Sequence, residues 1–311
     1  MSVVRVQDLV KRYGQLLALD HFDLDIAQGE VFGLLGPNGS GKTTAINCIL
    51  QLLSYDRGAV EVFGEPMTPA RYDLKGRIGT VPQNVAVFEE LTVRENIDYF
   101  CALYVKDKAR RRELVDEAIA FVGLEDYTKF RPRKLSGGLT RRLNIACGIA
   151  HKPELIFFDE PTVAVDPQSR NAILEGIVRL NREGSTIIYT SHYMEEVEEL
   201  CSRIMIMDHG RVLASGTNNE LKAMIGTGEK IQVEVPALSD AVLNELRERD
   251  QVQRASYDGK TLEVHCKSGT HNLSDVLEVL HARQLAFGRV YSEPPTLNDV
   301  FLELTGTELR D

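Results

Sequence analysis

The fold of this chain is indicated first by the segment Gly36-Pro37-Asn38-Gly39-Ser40-Gly41-Lys42-Thr43. It matches the pattern G-x-x-x-x-G-K-[ST], in which the glycines let consecutive backbone amides point at phosphate oxygens. The apolar run at residues 30–35 precedes it, and apolar residues at helical spacing follow it over residues 42–53. Strand, glycine-rich turn and helix form the context that the pattern requires, so we predict a phosphate-binding loop.

Three side chains of this segment have separate expected contacts with a nucleoside triphosphate. Lys42 supplies a mobile positive charge for the β- and γ-phosphates, and the helix that follows adds its positive N-terminal end. Thr43 offers its hydroxyl to Mg²⁺. Two interpretations of Thr44 stay open, a contact with the α-phosphate and an ordinary threonine in the first turn of a helix.

A second apolar strand ends in two carboxylates. Residues 155–158 (LIFF) are followed at once by Asp159 and Glu160, and ligands of open α/β sheets lie at the carboxyl ends of strands. Asp159 suits Mg²⁺, directly or through water, while Glu160 can face an attacking water as general base or orienter. An acid at a strand end is often only a cap, so this assignment depends on the phosphate-binding loop upstream.

Hydrophobic periodicity divides the first part of the chain into regions of different architecture. Residues 4–6 and 22–26 alternate apolar and polar side chains, which predicts half-buried antiparallel strands. Residues 155–158 and 186–189 are continuous apolar runs between helical segments, as in parallel strands covered on both faces. Residues 92–149 have a helical pattern that begins with the capping box TVRE. We predict an α/β P-loop core with an antiparallel β subdomain and a helical subdomain at about 84–152.

The pattern changes near residues 226–228, and a smaller domain is expected after it. The order there is β-α-β-β-α-β, with strands at 231–235, 252–256, 262–266 and 287–291 and helices at 238–249 and 273–283. This order predicts a ferredoxin-like α+β domain. In the tail, one apolar helix face is expected to carry Leu297, Val300, Phe301 and Leu304. The predicted domains are residues 1–228 and 229–311.

Composition limits the classes of function. The chain of 311 residues has a net charge of −10 and a pI near 5.3, which opposes a general affinity for nucleic acid. It has neither a run of about twenty apolar residues nor a readable secretory signal at its N-terminus, so we expect a cytosolic protein. Five scattered cysteines predict buried thiols rather than disulfides or zinc. The charge runs at 106–112 and 195–199 are interpreted as solvated faces.

The segment Leu135-Ser136-Gly137-Gly138-Leu139 precedes a predicted helix and resembles the signature motif of ABC ATPases. The resemblance implies that Ser136 and the amides of Gly137 and Gly138 bind the γ-phosphate of ATP held by the phosphate loop of the opposite subunit. Two sites would then form in a head-to-tail dimer. Leu139 stands where this family usually has glutamine, which affects a side-chain contact but not the backbone cradle.

Four further positions resemble functional residues of that family. Tyr13, in a loop after the first strand, would stack on adenine, and Gln83 would touch Mg²⁺ or the nucleophilic water and report the nucleotide state to a transport partner. Asp166 matches a residue of the loop that crosses the dimer interface in this family, and in the same loop Ala164 replaces the more usual glycine. His192 matches the histidine that would contact the γ-phosphate. A single such residue is usually structural, and here their order along the chain supports the assignment.

The ABC resemblance covers about residues 3–225, and residues 294–306 (PPTLNDVFLELTG) resemble the ending of ATPases that serve ABC-2-type exporters. This resemblance implies an ATPase subunit, homodimeric or heterodimeric, that closes on two MgATP and drives export by a separate permease. The subunit would lie at the inner face of the cell membrane through that permease. Val85, Val87 and Phe88 would line the groove for a permease helix.

Two alternatives of other classes remain open at this point. The first is a soluble ABC ATPase acting on nucleic acid or ribosomes, which the acidic pI, the single phosphate loop and the lack of sustained heptads oppose. The second is a module that binds ATP to regulate a partner. Leu139 and Ala164, as departures from the family pattern, keep it open.

Overall fold

The computed structural model describes residues 1–267 and 272–306. The chain divides into two compact units, Met1–Thr217 and a second that begins at Asn218. This division lies ahead of the predicted boundary at residue 228, because helix α8 (Asn218–Met224) contacts helix α11 (Leu297–Thr305) of the second unit.

An antiparallel sheet forms the first layer of the first unit, as the alternating pattern predicts. Its order is β2-β1-β4-β5, with β1 Ser2–Tyr13, β2 Leu16–Ala27, β4 Arg57–Val62 and β5 Glu65–Pro66. Along β2 the buried residues Phe22, Leu24 and Ile26 alternate with exposed ones. The buried face therefore packs into the core, and the other face is exposed to solvent.

A six-stranded sheet with the order β10-β9-β3-β8-β7-β6 carries the core. The strands are β3 Val31–Leu35, β6 Ile78–Val81, β7 Leu155–Asp159, β8 Thr186–Ser191, β9 Arg203–Asp208 and β10 Arg211–Gly216. All pairs are parallel except β9 with β10. Every residue of β3, β7 and β8 is buried, as expected for strands covered on both faces.

Helices connect these strands. They are α1 Lys42–Ile49, α2 Tyr72–Lys75, α6 Pro167–Arg182 and α7 Met194–Leu200. The sequence pattern extended the first helix to residue 53, and this is wrong because Gln51 adopts a left-handed φ of 55° and Leu52 is exposed to solvent. The turn therefore ends the helix after Ile49.

The predicted helical subdomain consists of α3 Val93–Ala102, α4 Lys108–Val122 and α5 Gly137–Ile149, with short 3₁₀ turns at Glu125–Tyr127 and Pro132–Lys134. Helix α3 begins with the predicted capping box, in which the Thr92 side chain accepts from the Glu95 amide and the Glu95 carboxylate accepts from the Thr92 amide. The three helices contact one another and enclose the buried Ile97, Ile119 and Leu143.

The second unit has the predicted β-α-β-β-α-β order. Its elements are β11 Thr227–Glu234, α9 Asp240–Arg247, β12 Val252–Tyr257, β13 Thr261–Lys267, α10 Asn272–Ala282 and β14 Val290–Glu293. The sheet order β12-β13-β11-β14, antiparallel throughout, is the ferredoxin-like arrangement. Helix α11 buries Leu297, Val300 and Phe301, as predicted, but Leu304 near the end of the helix is 39% exposed.

Two expectations from composition can be compared with the structure. All five cysteines are buried and free of disulfides, as predicted. Within residues 1–267 and 272–306, no helix is both long and apolar enough to span a bilayer.

Candidate functional site

The order of the central sheet brings four loops together. Strands β3, β8, β7 and β6 lie side by side and parallel, so the segments that follow their carboxyl ends meet at one edge. The segment after β3 is the phosphate-binding loop. The segments after β8, β7 and β6 carry His192, Glu160 and Gln83. Sequence positions that are far apart therefore share one site.

The loop at residues 36–43 needs glycine at two points. Gly41, which precedes α1, has a left-handed φ of 107°, and a Cβ there would lie 2.7 Å from the carbonyl oxygen of Ala18. A Cβ on Gly36 would lie 2.3 Å from the carbonyl oxygen of Met207. The buried hydroxyl of Ser40 has no hydrogen-bond partner among the described residues. A bound anion can use such a donor, and Asn38 and Gly39 at the tip are exposed.

Lys42 is the buried cation of the site. Its ammonium donates to the carbonyl oxygens of Gly36 at 2.8 Å and Pro37 at 3.1 Å, and lies 3.5 Å from Glu160 Oε1. Lys42 is 4% exposed and Glu160 is 5% exposed. Burial lowers the pKa of Lys42, while Glu160 and Asp159 oppose that shift. A phosphate group could replace the carbonyl partners of this charge.

Two of the three residues predicted for Mg²⁺, Thr43 and Asp159, lie together, while Gln83 contacts Glu160 instead. Thr43 Oγ1 donates to Asp159 Oδ2 at 3.0 Å, and Thr190 Oγ1 donates to Asp159 Oδ1 at 2.6 Å. The described residues contain no cluster of three histidine, cysteine or acidic side chains for a metal ion. One carboxylate and one hydroxyl fit Mg²⁺, because this ion keeps waters and takes its other oxygens from substrate phosphates. The residues present therefore fit the predicted metal.

Glu160 is the centre of the polar contacts at this edge. Its Oε2 accepts from Gln83 Nε2 at 3.1 Å and lies 3.3 Å from His192 Nδ1. Its backbone has a left-handed φ of 47°, which is strained for a side chain of this size. Its amide donates to the Thr190 hydroxyl at 3.0 Å. The structure thus brings Lys42, Gln83 and His192 to one carboxylate.

The signature segment has mainly local contacts in the single chain. The Ser136 hydroxyl caps α5 by accepting from the Leu139 amide at 3.3 Å. Asp166 caps α6 by accepting from the Ser169 amide at 2.9 Å, and this bond lowers the pKa of Asp166. A Cβ on Gly138 would lie 2.4 Å from Ser169 Oγ and 3.0 Å from Asp166 Oδ2. Gly138 and Asp166 are therefore neighbours.

Three other positions named from the sequence, Tyr13, Thr44 and Ala164, lie in different local settings. Tyr13 is the last residue of β1 rather than a loop residue, because Gly14 makes the turn with a φ of 59°. Its ring is 48% exposed, and Lys11 Nζ lies 5.3 Å from the ring centroid. Thr44 lies in the first turn of α1 and is half-buried. Ala164 has the left-handed φ of 58° that a glycine would adopt more easily.

Sequence reasoning missed two residues of α5 that hold the Gln83 loop. The guanidinium of the buried Arg141 donates to the carbonyl oxygens of Pro82 at 3.0 Å and Gln83 at 2.7 Å. Asn144, one turn along, donates to Pro82 O at 3.2 Å and accepts from the Ala86 amide at 3.0 Å. Polar residues three apart on the buried face of a helix were the available signal.

The interpretation of residues 195–199 as a solvated face is wrong at Glu196. This side chain is fully buried, because α7 turns it toward strand β8. It accepts from the hydroxyls of Thr162, Tyr189 and Ser191. Burial of one acid in a run of four depends on tertiary packing, which the charge pattern does not record.

This fold and this site define a P-loop ATPase of the ATP-binding-cassette class. The family profile "ABC transporter" matches residues 19–163, and the profile "ATP-binding protein DrrA1-3-like, C-terminal domain" matches residues 216–305. The linearmycin resistance ATP-binding protein LnrL of Bacillus subtilis is 37% identical over 99% of this chain and all of its own length.

Two further comparisons support the same class. The Nod factor export ATP-binding protein I of Paraburkholderia xenovorans is 34% identical over all of this chain and 99% of its own. A solved ATP-binding cassette, dimeric and in a post-hydrolysis state with ADP and Pi, is 27% identical with a TM-score of 0.64, over 69% of this chain and 98% of its own. The chain belongs to the ATP-binding proteins of ABC transporters and is an ATPase.

Proposed function

We propose that this chain is the ATP-hydrolysing motor of an ABC-2-type export transporter and acts on a separate membrane permease. One observation carries the proposal, the meeting of Lys42, Gln83 and His192 at the Glu160 carboxylate. A regulatory module needs to bind ATP only, whereas a buried carboxylate with these three neighbours also suits the orientation of an attacking water. The names of the two relatives, one for antibiotic resistance and one for export, support the direction of transport.

The residues of the site have distinct proposed roles in phosphoryl transfer to water. Lys42 and the amides of the phosphate-binding loop gather the negative charge of the β- and γ-phosphates. Glu160 accepts a proton from the attacking water or orients it, and Gln83 and His192 hold that carboxylate and the γ-phosphate in place. Thr43 and Asp159 would hold Mg²⁺, which supplies a further positive charge at the phosphates. Tyr13 and Thr44 would contact adenine and the α-phosphate.

A second copy of the chain, or a similar subunit, is proposed to complete each site. Ser136 and the amides of Gly137 and Gly138 lie at the N-terminus of α5, and such ends favour bound anions. A phosphate on the opposite subunit would meet them, and Asp166, next to Gly138, would lie near the same dimer interface. The dimeric state of the related cassette supports this geometry.

The surface next to Gln83 is proposed as the permease contact. Val85 and Phe88 are exposed there, and the Phe88 ring lies 4.8 Å from the ring of the exposed Tyr99. Arg141 and Asn144 hold the loop between Gln83 and this apolar surface against α5. A change at the nucleotide can therefore reach the partner, and the chain would work at the inner face of the membrane through it.

The test is capture of the full-length Glu160→Gln variant with ATP from gently solubilised cells. We expect a polytopic membrane protein to come with it, and less of it with Lys42→Ala, which should lose nucleotide affinity. The transport proposal would be contradicted if Glu160→Gln captured ribosomes or nucleic acid, in the same amount with ATP as without it. Such capture would favour the alternative of an ABC ATPase acting on nucleic acid.

A further inference from the structure

A buried carboxylate lies behind the catalytic edge of the sheet and has no assigned role. Glu196 on α7 is 0% exposed. Its Oε2 accepts from Tyr189 at 2.6 Å, Thr162 at 3.0 Å and Ser191 at 3.0 Å. Its Oε1 lies 2.6 Å from Arg170 Nε. One side chain therefore contacts four different groups.

These four groups belong to the segments that carry the catalytic residues. Thr162 comes two residues after Glu160, and Ser191 directly precedes His192. Arg170 lies in the first turns of α6, the helix that Asp166 caps. Glu196 is therefore the point at which the Glu160 loop, the His192 loop and the Asp166 helix are joined.

His192 is held from two sides through this carboxylate. On one side, the Ser191 hydroxyl donates to Glu196 and accepts from the Tyr193 amide at 2.9 Å, so it fixes the backbone that flanks His192. On the other side, the Arg170 guanidinium lies 5.4 Å from the centre of the Tyr193 ring, and that ring lies 4.1 Å from the ring of His192.

The groups around Glu196 are placed for its carboxylate to act as a hydrogen-bond acceptor. Arg170 pairs with it and also lies 4.0 Å from the exposed Glu195. Burial raises the pKa of Tyr189 and the charge of Glu196 adds to the effect, so the Tyr189 hydroxyl stays protonated and donates. A requirement for packing alone would be met by an apolar residue, which avoids the cost of burying a charge.

We propose that Glu196 is a positioning residue for ATP hydrolysis, which aligns His192 with Glu160 and couples both to the Asp166 helix. The assignment rests on the proposed roles of Glu160 and His192. The carboxylate acts through Thr162, Ser191 and Arg170. A movement of α6 at the dimer interface would reach His192 through the same contacts.

The first test compares steady-state ATP hydrolysis by the full-length Glu196→Gln and Glu199→Gln variants. Both changes remove one charge from α7, but Glu199 is exposed. We expect kcat to fall about 10- to 100-fold in Glu196→Gln, since small misplacements of reacting groups cost rates of this order. ATP affinity should stay within about twofold, because Lys42 and the amides of the phosphate-binding loop are unchanged. Glu199→Gln should match the unmodified chain.

A second variant and a spectroscopic signal distinguish a loss of positioning from a general loss of stability. Ser191→Ala cuts the link to the Tyr193 amide and keeps Glu196, and it should lower kcat in the same way. The chain has no tryptophan, so Tyr193→Trp places a single tryptophan beside His192, and its emission can be excited separately from that of the tyrosines. Its emission should change when Glu196→Gln is added and stay the same with Glu199→Gln.

The possible outcomes separate this inference from the proposed function. Full activity of Glu160→Gln would remove the proposed function first. An inactive Glu160→Gln together with an active Glu196→Gln, or an indole emission that Glu196→Gln leaves unchanged in the Tyr193→Trp background, would overturn only the positioning role. Equal losses of kcat, ATP affinity and thermal stability in Glu196→Gln would show a general structural role, and would overturn it as well.

Discussion

The Thr190 hydroxyl holds the Asp159 carboxylate from within the sheet, and the effect of its removal can be worked out. Thr190 is fully buried in β8 and donates to Asp159 Oδ1 at 2.6 Å. Valine keeps the volume and suits a strand, but it lacks the hydroxyl. A hydrogen bond to a charged group contributes about 1.5–3 kcal/mol. The Glu160 amide keeps a second acceptor, the Thr190 carbonyl at 3.2 Å, so the change orphans no further donor.

We therefore expect Thr190→Val to lower the stability of the first unit by about 2 kcal/mol, or its Tm by about 4–8 °C. Thr186→Val is the matched control, because Thr186 lies in the same strand and accepts one neutral bond, from the Gly29 amide at 3.0 Å. Thermal unfolding of the full-length variants measures the difference. Hydrolysis by Thr190→Val should also need more Mg²⁺, since Asp159 loses its anchor. A Tm equal to that of Thr186→Val, with unchanged Mg²⁺ dependence, would contradict the role given to the Thr190 hydroxyl.

Three further predictions concern positions away from the reacting atoms. Ala164→Gly should raise the stability by about 1 kcal/mol, seen as a higher Tm, because a left-handed φ is strained for alanine; an unchanged or lower Tm would be the contrary result. Arg141→Met should lower kcat more than ATP affinity, since the Gln83 carbonyl loses its donor; a loss of affinity alone would contradict this. His265, Gln232 and Lys230 outweigh burial and lower the pKa of Glu263 to about 2. The contribution of Glu263 to stability is therefore present above the ordinary pKa near 4.5 and lost as pH falls toward 2. The free energy of unfolding of Glu263→Gln, measured with denaturant, should be lower than that of the unmodified chain at neutral pH and should converge with it in acid. A difference that does not change with pH would argue against the lowered pKa.

The parts of the site that the sequence predicts are those in which motif and strand pattern agree. The phosphate-binding loop, Asp159 and Glu160 follow directly from apolar strands, and the sheet order then places them together. The order of elements in the second unit was also predictable, because its strands and helices alternate with clear periods. The assignment of these residues to catalysis remains a prediction.

Other parts depend on tertiary contacts that no local pattern contains. Glu196 lies in an acidic run typical of solvated helices, and three hydroxyls from other segments make its burial possible. Arg141 and Asn144 have backbone carbonyls and an amide as partners, so the two polar residues on a buried helix face signal a contact, but residue types do not identify its partner. Helix α1 ends early because of one left-handed residue, Gln51.

The most direct test of the account is the rate of ATP hydrolysis by the full-length Glu160→Gln variant beside that of Glu183→Gln, which makes the same change at an exposed position. Loss of general base catalysis should lower kcat by about 10²- to 10⁴-fold. ATP binding should persist because Lys42 and its loop are intact, and the variant should accumulate as a dimer with ATP. Hydrolysis at the rate of Glu183→Gln would contradict the role of Glu160 and, with it, the catalytic site described above.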